Sequence, residues 1–174
     1  NQDRQRWTAV SKDGGTTWTE PRRMLDEIPL QAGVLVPNRM APPAPKSLRA
    51  GEGNRVYLVQ FETQSLAAWR ARLEELGAEV LSYVPHDSHI VRMDPSLVAT
   101  VESELFVRWV GPYEPSYRTF PELLAEISQQ TGAARHYNVM TYTAGAEEKG
   151  LLAAEVEAVG GKVLVAHPEG YILE

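Results

Sequence analysis

Between Arg55 and Pro112 the chain alternates strand-type and helix-type hydrophobic spacing, and that alternation is the tightest constraint the sequence places on the fold. Val56 to Phe61 is a β-rich run. Thr63 or Ser65 is placed to cap a helix, and Leu66, Trp69, Leu73 and Leu76 then fall on one helical face. Gly77 stands where a left-handed C-terminal cap is expected. Glu79 to Val84 reads as a strand, Pro85-His86-Asp87 as a turn, and Ser88 to Met93 as the returning strand. Asp94-Pro95 opens a second helix with Leu97, Val98 and Val101 as its apolar stripe. Leu105 to Val110 closes the unit as a strand, and Gly111-Pro112 ends it.

The order βαββαβ predicts an α+β fold. Two split βαβ halves give a four-stranded antiparallel sheet with both helices on one face, a ferredoxin-like plait. A divergent copy comes later in the chain. Leu76-Gly77-Ala78-Glu79-Val80-Leu81 pairs with Val159-Gly160-Gly161-Lys162-Val163-Leu164, and Pro85 answers Pro168. Its predicted elements are a strand over Arg135 to Tyr142, a helix over Glu147 to Val159 with Leu152, Val156 and Val159 aligned, a strand over Lys162 to Ala166, a turn at His167 to Gly170, and a strand from Tyr171. The copy is an incomplete ferredoxin-like unit, ending after βαββ. The reading therefore expects something to cover the open edge, or the chain to be a fragment of a longer protein. The domain reading is an N-terminal extension over 1–53, the first plait over 54–118, a connector over 119–134 with a helix from Phe120 to Thr131, and the second unit over 135–174.

The extension is less regular. Arg6 to Ser11 and Thr16 to Thr19 read as two strands joined by the turn Lys12-Asp13-Gly14-Gly15. The run Ser11-Lys12-Asp13-Gly14-Gly15-Thr16-Thr17-Trp18 resembles the Asp-box hairpin of sialidase-type propellers, of which this chain has one copy. Its plainest reading is a turn capped by Asp13 with Trp18 packed beneath; the alternative is a glycan- or surface-binding module. Ile28 to Val36 supplies a further short strand, and the prolines at 37, 42, 43 and 45 make the next stretch an extended linker.

Charge and composition exclude several function classes. A net charge of −6 argues against a nucleic-acid partner, which requires a basic face. With no cysteine, disulfides, thiol catalysis and Cys-based zinc sites are excluded. No apolar run approaches the ~20 residues of a spanning helix, so membrane insertion is not expected. No signal peptide is visible, and a start at Asn1 without Met fits removal of upstream sequence. His86 and His89 flank a turn with Asp87 between them, but that spacing across a hairpin does not fix a metal geometry. A pH-sensing role for the pair is chemically open. No serine sits in a nucleophile elbow and no glycine loop cradles phosphate, so neither catalysis nor a cofactor is expected. The aromatics at Trp69, Phe106, Trp109, Tyr113 and Tyr117 read mainly as core, with Tyr113 and Tyr117 kept as contact candidates.

Four segments carry a more specific likeness: Tyr57-Leu58-Val59-Gln60-Phe61, Leu76-Gly77-Ala78-Glu79-Val80, Tyr83-Val84-Pro85-His86-Asp87, and Phe106-Val107-Arg108-Trp109-Val110-Gly111-Pro112-Tyr113-Glu114-Pro115-Ser116-Tyr117-Arg118. Together they resemble the N-terminal propeptide region of bacterial subtilisin-like serine proteases. Arg135-His136-Tyr137-Asn138-Val139 resembles the second propeptide-like unit of that group. The resemblance implies a secreted or cell-surface, non-catalytic module that assists folding of a subtilisin-like catalytic domain and inhibits it until cleavage, in cis or in trans. It implies docking through an exposed sheet face and through the tail after the last strand. That implication singles out Phe106, Arg108, Trp109, Gly111, Pro112, Tyr113 and Tyr117 as interaction residues.

Overall fold

The structure is a computed structural model and describes residues 6–128 and 135–174. It is a mixed α+β chain of small antiparallel sheets, with four α-helices among the described residues. The chain divides after Ser128 into two compact units.

The first unit begins with two short ribbons. Strand β1 (Trp7–Thr8) pairs with β2 (Arg22–Arg23), and β3 (Ile28–Leu30) pairs with β4 (Gly33–Leu35). The partner of the first strand is thus Arg22–Arg23, not the expected Thr16 to Thr19; at the neck of the intervening loop Thr19 N donates to Val10 O (2.9 Å) and Val10 N to Thr19 Oγ1 (3.0 Å). Ile28 to Val36 is likewise a hairpin rather than one strand.

The main sheet contains β5 (Val56–Phe61), β6 (Glu79–Val84), β7 (Ser88–Arg92) and β8 (Val107–Pro112), in the order β6-β7-β5-β8, with every pair antiparallel. Helix α1 (Ala67–Glu75) joins β5 to β6, and α2 (Val98–Glu102) joins β7 to β8. Leu73 of α1 and Val101 of α2 are fully buried against Tyr57, Val59, Phe61 and Val91, so both helices cover one face of the sheet. Phe61 lies at the centre, edge-on to Trp69 and Phe106, which stack on each other with centroids 5.4 Å apart.

Local chemistry explains most boundaries. Gly77 adopts φ +95°, and the N–H groups of Gly77 and Ala78 close on Glu74 O and Leu73 O. Asp94 caps the turn at Pro95–Leu97 by accepting from Ser96 N. Neither Thr63 nor Ser65 caps α1; its N-cap is Leu66, without a side-chain bond. The closing strand starts two residues later than expected, at Val107, and includes Gly111 and Pro112. Its register slips between Gln60 and Phe61, which leaves Arg108 as the extra residue of a β-bulge. Helix α3 occupies Pro121–Ser128, and the last expected residues of the connector helix, with the rest of the connector to 134, lie outside the described residues.

The second unit has β9 (Val139–Met140), α4 (Glu147–Ala158) and β10 (Ile172–Leu173), with β9 and β10 antiparallel. The end of α4 repeats the bonds of α1: Gly160 has φ +85°, and Gly160 and Gly161 donate to Glu157 O and Val156 O. The strands beyond it differ. The one expected over Lys162 to Ala166 reduces to an isolated bridge, Ala166 with Leu173, and the one over Arg135 to Tyr142 shrinks to two residues. Val159, expected on the apolar side of the helix, is 86% exposed. Among the described residues no helix is long and apolar enough to cross a membrane.

Candidate functional site

Side chains of a strand alternate between faces, so Leu58, Gln60, Ser88 and Ile90 point away from the helices. All four are nevertheless buried. The cover is the chain's own N-terminal segment. Gln60 Nε2 donates to Asp26 O (3.3 Å), and His86 Nδ1 lies 2.6 Å from Glu27 O. Ile28 comes directly after and has no exposed surface, while Met24 and Leu35 are nearly as enclosed. Charged contacts frame this cover: Arg22 pairs with Asp87 (2.6 Å), Arg6 with Asp26 (3.2 Å) and Glu62, and Arg108 with Asp26. The bulge is what frees Arg108 from the ladder to reach Asp26.

The sheet face expected to be free for docking is therefore occupied, and the interaction residues read from sequence have intramolecular roles. Phe106 belongs to the aromatic cluster on the helix side. Arg108 holds the N-terminal segment. Trp109 lies across Gly111, so closely that a Cβ at Gly111 would fall inside the indole. Tyr113 and Tyr117 are buried, with ring centroids 6.4 Å apart and Arg118 over the Tyr113 ring. Of the set, Pro112 is exposed.

His86 and His89 lie in different surroundings. His86, at φ +64°, faces the N-terminal segment, whereas His89 lies on the helix side between Phe61 and Tyr83. Its Nε2 is 2.8 Å from Ser65 Oγ. Arg70 Nη1 donates to Ser65 O (3.1 Å) and Ser65 Oγ (3.0 Å). Burial first, and then the charge of Arg70, pushes the His89 imidazole below its usual range; the Ser82 backbone opposes this without forming a well-aligned hydrogen bond. Ser65, His89 and Arg70 line an open pocket of about 380 Å³ with Gln64, Tyr83 and Asp87. Sequence reasoning missed this grouping because Ser65 carried a local cap reading and its partner lies 24 residues on. Among the described residues no three of His, Asp or Glu lie close enough to hold a metal ion.

The Asp13 turn is a self-contained structure. Asp13 accepts from Thr17 N (2.9 Å), Thr17 Oγ1 (2.6 Å) and Ser11 Oγ (2.8 Å). These bonds, Thr17's first, hold its carboxyl at a pKa of about 2. Trp18 does not pack beneath the turn; it is 64% exposed, lies over Gly15 and donates its indole N–H to Gly15 O (3.1 Å).

The fold and its covered face define a small α+β domain in which an antiparallel sheet is packed on both sides. The chain belongs to the family described as Domain of unknown function (DUF8729), whose model matches residues 27–114, half of the chain. That span takes in the β3–β4 hairpin as well as the sheet and both of its helices. No curated protein and no solved structure matches the chain.

Proposed function

We propose that Val56–Pro112 is a ferredoxin-like plait and that the chain is the non-catalytic, propeptide-like region of a secreted or surface subtilisin-like protease. It assists folding of the catalytic domain and restrains it until cleavage, and residues 135–174 are a divergent second unit of the same kind. The observation that carries the reading is the βαββαβ element order combined with the sheet order β6-β7-β5-β8, all antiparallel, which accompanies the propeptide-like motifs. In this reading the N-terminal segment holds the sheet face until a catalytic domain displaces it. Of its framing ion pairs, Arg6–Asp26 is partly exposed on both sides and contributes little, which suits a cover that has to leave. The test is to refold a subtilisin-type catalytic domain with and without the chain in excess. Higher refolding yield or suppressed peptidase activity supports the reading, and no effect on either contradicts it.

One observation favours a second reading, a surface- or glycan-binding module. Trp18 is an exposed aromatic on a turn rigidified by Asp13, the kind of flat apolar surface that stacks on a sugar ring. A glycan-array or cell-wall pull-down signal lost in Trp18→Ala supports it, and no signal from the unmodified chain removes it.

A further inference from the structure

The N-terminal cover shows what its sheet face accepts. Over Asp26 to Ile28 the contacts alternate as they do along an extended strand. Asp26 turns its carboxylate to Arg108, which the β-bulge has freed from the ladder, and its carbonyl accepts from Gln60 Nε2 (3.3 Å). Glu27 leaves its side chain exposed and is read through its carbonyl, which accepts from His86 Nδ1 (2.6 Å). Ile28 has no exposed surface, and the sheet face supplies the apolar Leu58 and Ile90. The face thus engages one carboxylate, two consecutive backbone carbonyls and one aliphatic side chain in a fixed order. The fit is incomplete: Gln60 Oε1 is buried and has no donor while the cover is in place, and a buried acceptor left unpaired weakens the contact. The tether compensates. Residues 37–55, with prolines at 37, 42, 43 and 45, join the cover to β5 and keep its local concentration on the order of millimolar.

We infer that this face is a recognition surface for short acidic-aliphatic segments of the pattern Asp-x-Ile, that residues 26–28 are its ligand in cis, and that a protein partner displaces them by presenting the same pattern. Arg108 selects the acidic position, and a Lys or Arg there is rejected because it faces a like charge. Gln60 and His86 hold the backbone and leave the middle side chain free to vary. The last position is buried, which excludes a polar side chain without a partner. The inference rests on the displaceable cover of the preceding reading, but not on the partner's being a protease.

The experiment is an amide NMR titration of the full chain with a synthetic peptide of residues 22–36. The receptor carries Asp26→Asn and Ile28→Ala, which weaken the cover and leave Arg108, Gln60 and His86 in place. Faster exchange at Leu35 verifies that the cover is loosened, and unchanged shifts in α1 and α2 verify folding; Asp26→Asn alone is the receptor if the double variant fails the second check. The inference expects saturable shifts at Gln60, His86 and Arg108, with affinity about tenfold or more above that of the unmodified chain, whose own cover competes. Asp26→Asn in the peptide, or Arg108→Gln in the receptor, is expected to weaken binding about tenfold, and the two together no further, since each removes the same charge-assisted contact. No saturable binding to a folded, loosened receptor overturns the inference. So does equal affinity for receptor and unmodified chain, or undiminished binding of the Asp26→Asn peptide. No catalytic domain is in the mixture, so a failure here strikes this inference alone, and a failure of the refolding test strikes the protease reading alone.

Discussion

Among the described residues Phe61 and Lys149 are the two largest side chains that are almost completely buried, and each sits in a different unit. Phe61 is surrounded by rings and aliphatic groups from a sheet and two helices. Lys149, on α4, directs its ammonium at the carbonyl oxygens of Glu169 (3.2 Å), Gly170 (3.0 Å) and His167. The first unit is thus organised by an apolar layer, and the second by a charged group gathering a loop. Their helices end with the same glycine-centred bonds, so the cap alone does not determine whether the next segment forms a strand. In the first unit the strand after the cap joins a sheet packed on both faces. In the second, the chain after Gly161 pairs sparsely, and Leu164, Tyr171 and Ile172 remain 45–49% exposed.

The sharpest way to break this comparison is truncation at its two centres. Phe61→Ala is expected to cost the first unit about 3–5 kcal/mol, with Trp69 and Phe106 losing their shared partner. Lys149→Met is expected to cost the second unit about 1–3 kcal/mol, because the loop carbonyls lose the charged donor that gathers them. Urea unfolding followed separately by Trp69 fluorescence and by NMR signals of α4 reads the two units apart. Each variant should shift only its own unit's transition. If Lys149→Met leaves the α4 signals unchanged, the lysine does not organise that unit.

Much of the first unit was legible because its signals are local. Strand alternation, Gly77, and the Asp94-Pro95 start each act within a few residues. The covering of the sheet was not legible. Met24, Ile28 and Leu35 keep no regular period, and the anchors Asp26 and Glu27 act on Gln60 and His86 through their backbone carbonyls, which leave no mark on side-chain identity. The bulge at Arg108 also breaks the period that would place Val107 and Trp109 on one face: Val107 pairs opposite Phe61 and Trp109 opposite Gln60. Ser65 shows a local rule losing to a distant partner, since its hydroxyl engages His89 and Arg70 instead of the helix end.

Smaller changes sharpen the same contrast. Gly111→Ala is expected to cost about 1–2 kcal/mol, as the indole of Trp109 must leave the strand it covers; a blue or red shift of Trp109 emission, isolated with other tryptophans replaced, reports the move. A weaker effect is expected from pH. His89 is held neutral in the folded protein, so the unfolded chain binds more protons between its ordinary value of 6.5 and the depressed folded value. Stability of the first unit therefore falls as pH drops through that window and is fully present above it. His89→Gln should flatten this dependence in urea titrations of the first unit run across the window.

The central claim is that the chain's N-terminal segment occupies the sheet face on which the proposed catalytic domain would dock. Hydrogen exchange of the intact chain, alone and with excess subtilisin-type catalytic domain, tests it directly. The account predicts slow exchange at Ile28, Leu35 and the β5 amides in the free chain. On adding the catalytic domain, Ile28 and Leu35 should exchange faster while β5 stays protected. Fast exchange at Ile28 and Leu35 in the free chain would contradict the covered face, and unchanged exchange in a mixture where the peptidase is inhibited would contradict displacement.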